Sequence, residues 1–263
     1  MKLHLPDKYF LAGLLLVTTA AILIVIAYIT NRGDMTTAAV VISGMICVVT
    51  GIFILTFSGA EPIDPRLVGM LPLQDLINVC RMASDLGITG NACFLPPRVT
   101  GETRVILFNP VSTYQGGRVQ SGDSFPLSGP TGLVTVPPCD PLIRDLKKRN
   151  TLPKTDNKEV ITRLLHETIS GIFEFASDVS VSWQENTVTI TFHGYRFIDG
   201  CQAVAQESPR CCSMHPCVAC SLCGSLIAES LDTVVSLDQC SSDNTLQSVT
   251  AIFSLLPGPD SHP

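Results

Sequence analysis

The chain has 263 residues, a formal net charge of −6 and 11 cysteines. An acidic chain without interleaved basic and aromatic residues lacks the electrostatic footprint of a nucleic-acid binder. Its one basic cluster, Lys147-Lys148-Arg149, reads as the cationic end of a helix.

Residues 10–29 and 35–57 carry no charged side chain. At about 1.5 Å of rise per residue, each is long enough to cross a hydrocarbon core of about 30 Å. The polar stretch 30–34 contains Gly33 and predicts a tight turn between two antiparallel spans. Ala39, Ser43, Cys47 and Gly51 recur every four residues, so they are expected to form the packing stripe of the second span, facing Gly13 and Ala20-Ala21 of the first. Tyr9 and Tyr28 bracket the first span, as interfacial rings do. Lys2, Lys8 and Arg66 flank the outer ends, whereas the turn holds only Arg32. That bias predicts a two-span protein of the cell membrane with both termini, and hence the soluble domain, in the cytoplasm. A cleaved signal peptide is disfavoured, because the first run is too long and no small-residue cleavage pattern precedes Asn31. In the cytoplasm the cysteines are expected to be thiols or metal ligands; on the other side of the membrane, disulfides would account for them.

Beyond the hairpin (1–57), residues 58–69 read as a linker with Gly59, Pro62 and Pro65, residues 70–257 as a soluble domain, and 258–263 as a tail. About 200 residues suffice for one domain with a real core, or two small ones. Leu73, Leu76, Ile77, Cys80, Ala83 and Leu86 keep helical spacing, with Gly87 at the C-terminal cap. Residues 92–95, 105–108 and 133–136 are short strands among turns. Asp140 and Pro141 are an N-cap and N1 pair for a helix over 142–149. A second helix is predicted over 160–173, followed by a hairpin of 179–183 and 188–192. A helix over 218–230 and strands at 234–237 and 249–255 complete an α+β domain of antiparallel strands with packed helices. Trp183 is expected to face the core with Val179 and Val181.

Seven of the 11 cysteines fall within residues 201–240. Cys217, Cys220 and Cys223 have the C-x2-C-x2-C spacing with which a loop brings thiolates to one metal centre, and Cys211, Cys212, His215 and Cys240 stand ready as further ligands. Thiolate with imidazole suits zinc; thiolates alone suit zinc or an iron–sulfur cluster. The run departs from the ferredoxin pattern at Ile227, where a fourth cysteine belongs. On a regular helix Cys217, Cys220, Cys223, Gly224, Ile227 and Ala228 also share a face, so plain packing accounts for them equally well.

No enzyme signature is found. His166-Glu167 begins like the zinc-protease motif, but Ser170 replaces its second histidine. No nucleophile elbow, phosphate loop or dinucleotide fingerprint is present. His193, Tyr195, Arg196 and Asp199 cluster at a strand end and are candidates either for a pocket or for satisfying loop backbone.

The overall plan, with the stretches Gly90-Asn91-Ala92-Cys93-Phe94-Leu95-Pro96-Pro97 and 132–142, resembles a family of uncharacterised archaeal two-span membrane proteins with a soluble α+β domain. That resemblance implies no reaction. The sequence reading is therefore a membrane-anchored, non-enzymatic domain that binds a protein partner or small ligand. Its alternative is a metal- or Fe–S-binding redox module on residues 211–223.

Overall fold

The computed structural model describes residues 8–30, 35–58, 65–119, 122–126, 129–149 and 152–256. Residues 31–34 of the expected turn, residues 59–64 of the linker and the tail lie outside them. The chain divides into two compact units, Met1–Ile63 and Asp64–Pro263.

The first unit is a pair of helices, α1 (Lys8–Thr30) and α2 (Met35–Ser58). Gly13 lies against Gly51 and Leu55, and Gly44 against Ala20 and Ile24, so the helices run antiparallel. A Cβ at Gly51 would sit 2.8 Å from Val17 Cγ2, and one at Gly13 2.9 Å from Leu55 Cγ. The expected stripe is rotated. Gly51 is buried and Cys47 half-buried, but Ala39 and Ser43 are exposed and Gly44 takes their place. Buried and half-buried positions recur as 13, 16/17, 20, 23, 27 and as 37, 40, 44, 47/48, 51. That is a repeat near 3.5 residues, off which a strict every-fourth stripe drifts. Thr19, Thr30, Thr50 and Thr56 donate to the carbonyl four residues back, so their hydroxyls need no water. The remaining surface exposes large side chains such as Leu15, Ile22, Ile42, Val49 and Phe53. Both helices are long and apolar enough to cross a membrane and suggest membrane association. A third segment of that length and composition, Cys211–Leu231, is 78% buried inside the protein and belongs to the core of the second unit.

The second unit is α+β, built on one seven-stranded antiparallel sheet in the order β3-β2-β1-β6-β7-β5-β4. Its strands are β1 (Cys93–Leu95), β2 (Ile106–Pro110), β3 (Gly132–Thr135), β4 (Asp178–Gln184), β5 (Thr187–His193), β6 (Val234–Asp243) and β7 (Ser248–Leu256). Period-two alternation sends Val188, Ile190 and Phe192 of β5, and Val249, Ala251 and Phe253 of β7, to one face. There they meet α6 (Asp140–Lys148), α7 (Lys158–His166) and α10 (Val218–Leu231) through Leu146, Ile161, Leu165, Leu222 and Ile227. Helix α10 is apolar all round and buried over nearly its whole length, as such a helix must be. On the opposite face, beneath β1–β3, Leu95, Ile106, Phe108 and Tyr114 form a second, smaller core.

Helix α4 (Leu73–Asp85) is as expected; the structure adds helices that the sequence reading lacks, α3 (Pro65–Met70) in the linker stretch, α5 (Pro97–Thr100), α8 (Ile198–Glu207) and α9 (Cys211–Met214). The helix expected over 160–173 is α7 continued by a π-helical turn, Glu167–Ile172, closed by Phe173 N–H to Thr168 O at 3.0 Å. Asp140 is not the cap but the first residue of α6, whose N-cap is Cys139. Instead its buried carboxylate pairs with Arg144 at 2.9 Å and Arg104 at 3.8 Å.

Trp183 faces the helices as expected but is only partly buried. Its indole N–H donates to Thr162 Oγ1 at 2.9 Å, and the Lys158 ammonium lies 5.5 Å from the ring centre. Trp183→Ala is therefore expected to cost about 2–3 kcal/mol in denaturant titration, less than for a fully buried ring. A loss below about 0.5 kcal/mol, the scale of ordinary surface changes, would mean that the ring contributes no packing.

Candidate functional site

A cavity of about 530 Å³ opens where α3, α4 and α8 meet the segment leading into α10. Val68, Leu73, Leu76, Phe175, Phe197 and Val204 give it apolar walls. Two glycines set its shape: a Cβ at Gly200 of α8 would stand 2.5 Å from Gly69 O, so only glycine lets α3 cross this closely. Phe175, Phe197 and Tyr195 interlock edge to face, with ring centres 5.7 and 5.8 Å apart, and fix one wall. The volume is that of a small-molecule site. Polar groups in the lining include Asp75, the Tyr195 hydroxyl, His215 and the thiols of Cys201, Cys212 and Cys217. His215 Nδ1 is buried without a hydrogen-bond partner, and burial lowers the pKa of the ring, so it stays neutral.

The three thiols belong to a chain of five. Cys201 neighbours Cys217, Cys217 neighbours Cys220, and Cys240 neighbours both Cys220 and Cys212. The Cys220–Cys240 sulfurs are 3.9 Å apart, and the Tyr195 hydroxyl reaches Cys217 Sγ at 3.7 Å. Cys217 is the N-cap residue of α10, in extended conformation, and Cys220 lies one turn later. Hydrogen bonds from Cys201 and then Cys220 hold Cys217 well below the usual thiol range. Those from Cys212 and Cys220 bring Cys240 down to about 5. The donors move the other way: Cys201 and Cys220 are raised chiefly by their bond to Cys217, and Cys212 by its bond to Cys240. Thiolate character thus alternates with thiol along the chain.

Cys240 reaches this cluster because of a bulge. Leu237 pairs with Phe253, but Gln239 pairs with Ile252 and Cys240 with Ala251. The extra residue at Asp238 moves Cys240 onto the face of Leu237 and Ala251, toward the helices. Strict alternation would have turned it away.

Of the ligand candidates, the structure brings Cys212, Cys217 and Cys220 into the cluster. Cys211 is elsewhere, in a disulfide with Cys80 that joins α9 to α4. Cys223 is fully buried on α10 with its pKa raised by burial, and His215 lines the cavity. The sulfurs are strung out rather than convergent: among the described residues no group of three or more His, Cys, Asp or Glu is placed to hold a metal ion. Cys139 lies between Ser221 and Ser225 of α10, each hydroxyl 3.3 Å from its sulfur. Of the strand-end polar group, only Tyr195 lines the cavity; His193 bonds Ser180 at 2.9 Å and Arg196 pairs with Glu174 at 2.8 Å. His166 pairs with Asp178 at 2.9 Å on the surface.

Cys201 was missed as a cluster member. The signal was the spacing of Cys201, Gly200 and Val204, which share a helix face across the next turn, but α8 itself had gone unread.

These features define the class: an α+β domain with an apolar cavity beside a thiol cluster, following two apolar helices. The chain belongs to a family of unknown function, since the model for Domain of unknown function (DUF7982) matches residues 76–252. The match takes in β1 to β6 and the start of β7, α10 and all five clustered cysteines. No curated protein and no solved structure matches the chain.

Proposed function

We propose that this chain is a two-span membrane-anchored binding protein whose domain takes a small apolar ligand in the cavity between α3, α4 and α8. The observation that carries this reading is the cavity itself: about 530 Å³, apolar walls, and few polar groups. His215, in the lining, is the imidazole nearest at hand for a polar atom of that ligand. Val204→Trp places an indole in the cavity from α8. In a thermal-shift screen of apolar fragments, a ligand at about 100 times its Kd stabilises by about 2.7 kcal/mol, or roughly 5–10 °C for a domain of this size. Wild type should respond to some fragments and Val204→Trp should not. Equal responses in both proteins, or none in wild type, would sink the proposal.

The excess of Lys and Arg at the outer ends of the spans supports a cytoplasmic location for both termini. The Cys80–Cys211 disulfide favours a second reading, with the domain on the oxidising side of the membrane. A reporter fused after Pro263 separates the two. Cytoplasmic reporter activity is expected; protease access to the domain in intact cells would invert the topology.

A further inference from the structure

We infer that Cys217 and Cys220 are a thiol–disulfide exchange pair that acts on a small apolar disulfide admitted through the cavity. The inference rests on the ligand-cavity reading for substrate access, and on three features of the cluster for its chemistry.

The first is position. Cys217-Val218-Ala219-Cys220 is a C-x-x-C segment at the start of the 14-residue helix α10. Cys217, at the N-cap, lines the cavity, whereas Cys220, one turn inward, does not. One sulfur therefore meets the substrate and the other waits behind it, which is the division of labour that exchange requires. The second is the Tyr195 hydroxyl, 3.7 Å from Cys217 Sγ on the cavity side. It is placed to donate to a thiolate there and so favour the attacking form. The third is continuity. Behind Cys220 stands Cys240 at 3.9 Å, then Cys212, and these two pack against the Cys80–Cys211 disulfide. The sulfurs form a file rather than a cage, a layout suited to successive exchange and not to a common ion.

The steps balance. The Cys217 thiolate attacks one sulfur of a substrate R–S–S–R, forming Cys217–S–S–R and releasing R–S⁻. The Cys220 thiol then attacks Cys217 Sγ; its proton passes to the departing second R–S⁻. The pair ends as a disulfide, oxidised by two electrons, and the substrate as one thiolate and one thiol. Exchange onward to Cys240 would free Cys217 again, because Cys240 attacks Cys220 Sγ with Cys217 as the leaving thiolate.

The test uses the full chain in detergent micelles and one equivalent of 4,4′-dithiodipyridine, a small aromatic disulfide. Wild type should release two thiopyridones per chain, retain no adduct, and yield a peptide with Cys220 linked to Cys217 or, after onward exchange, to Cys240. Cys220→Ser should stop at the first step, with one thiopyridone released and the other half of the reagent held on Cys217. Cys217→Ser should slow release by about tenfold or more, since the other cavity-lining cysteines, Cys201 and Cys212, have neither the Tyr195 hydroxyl beside them nor a C-x-x-C partner. A stable adduct on wild-type Cys217, or reagent scattered over other cysteines, would overturn the proposal. So would a full equivalent of copurified zinc or iron, which would assign the sulfurs to a metal. The wild-type peptide map stands even if a variant fails to fold. Failure here with fragment binding still blocked by Val204→Trp would remove the exchange chemistry and leave the ligand cavity standing.

Discussion

Gly224→Ala is expected to destabilise the domain by about 2 kcal/mol or more, although alanine is the better helix former. A Cβ at position 224 would lie 2.2, 2.4 and 2.6 Å from three atoms of the Phe94 ring. Phe94 is fully buried, sits on a three-residue strand held between β2 and β6, and faces Phe253 with ring centres 6.4 Å apart. The ring has nowhere to go, so the helix must lift off the sheet. Helix propensity favours alanine by about 1 kcal/mol, whereas overpacking a dense core costs about 1–3 kcal/mol and occasionally more. The contact distances put this site at the upper end, and the clash wins. A melting temperature lowered by roughly 4–8 °C is expected. A raised one would mean that α10 does not approach β1 as described.

Loss of the Cys80–Cys211 disulfide is expected to cost about 2–5 kcal/mol, the usual range for a native bridge. The bridge spans 131 residues and joins α4, a cavity wall, to α9, next to Cys212 of the cluster. Opening it enlarges the unfolded ensemble and frees α4 to move off α8. The double change Cys80→Ala with Cys211→Ala keeps odd thiols out of the comparison. Alkylation of the denatured, unreduced chain should label 9 of its 11 cysteines. Labelling of all 11 would contradict the bridge.

The two apolar helices and the α+β class were legible because each rests on a strong period. Val188, Ile190 and Phe192 alternate without interruption, and residues 10–29 hold no charge at all. The cavity was not legible, because its walls come from segments far apart in sequence. Val68 and Leu76 precede the first strand, Val204 lies between β5 and β6, and α3 and α8 are short helices with glycines at the crossing. Three of the five clustered cysteines could be read from local spacing: Cys212, Cys217 and Cys220 lie within nine residues. The rest depends on tertiary events. A bulge at Asp238 turns Cys240 inward, and a partner 131 residues away takes Cys211 out of the set. Neither leaves a trace in residue spacing. Cys80 illustrates the same limit: its helical face was read correctly as buried, but what it meets there could not be.

The most direct measurement is an experimental structure of the full chain with a fragment that stabilises it. The account predicts ligand density between Leu76, Phe197 and Val204, with its polar end near His215. Density at any other place, with these side chains closed over an empty space, would contradict it.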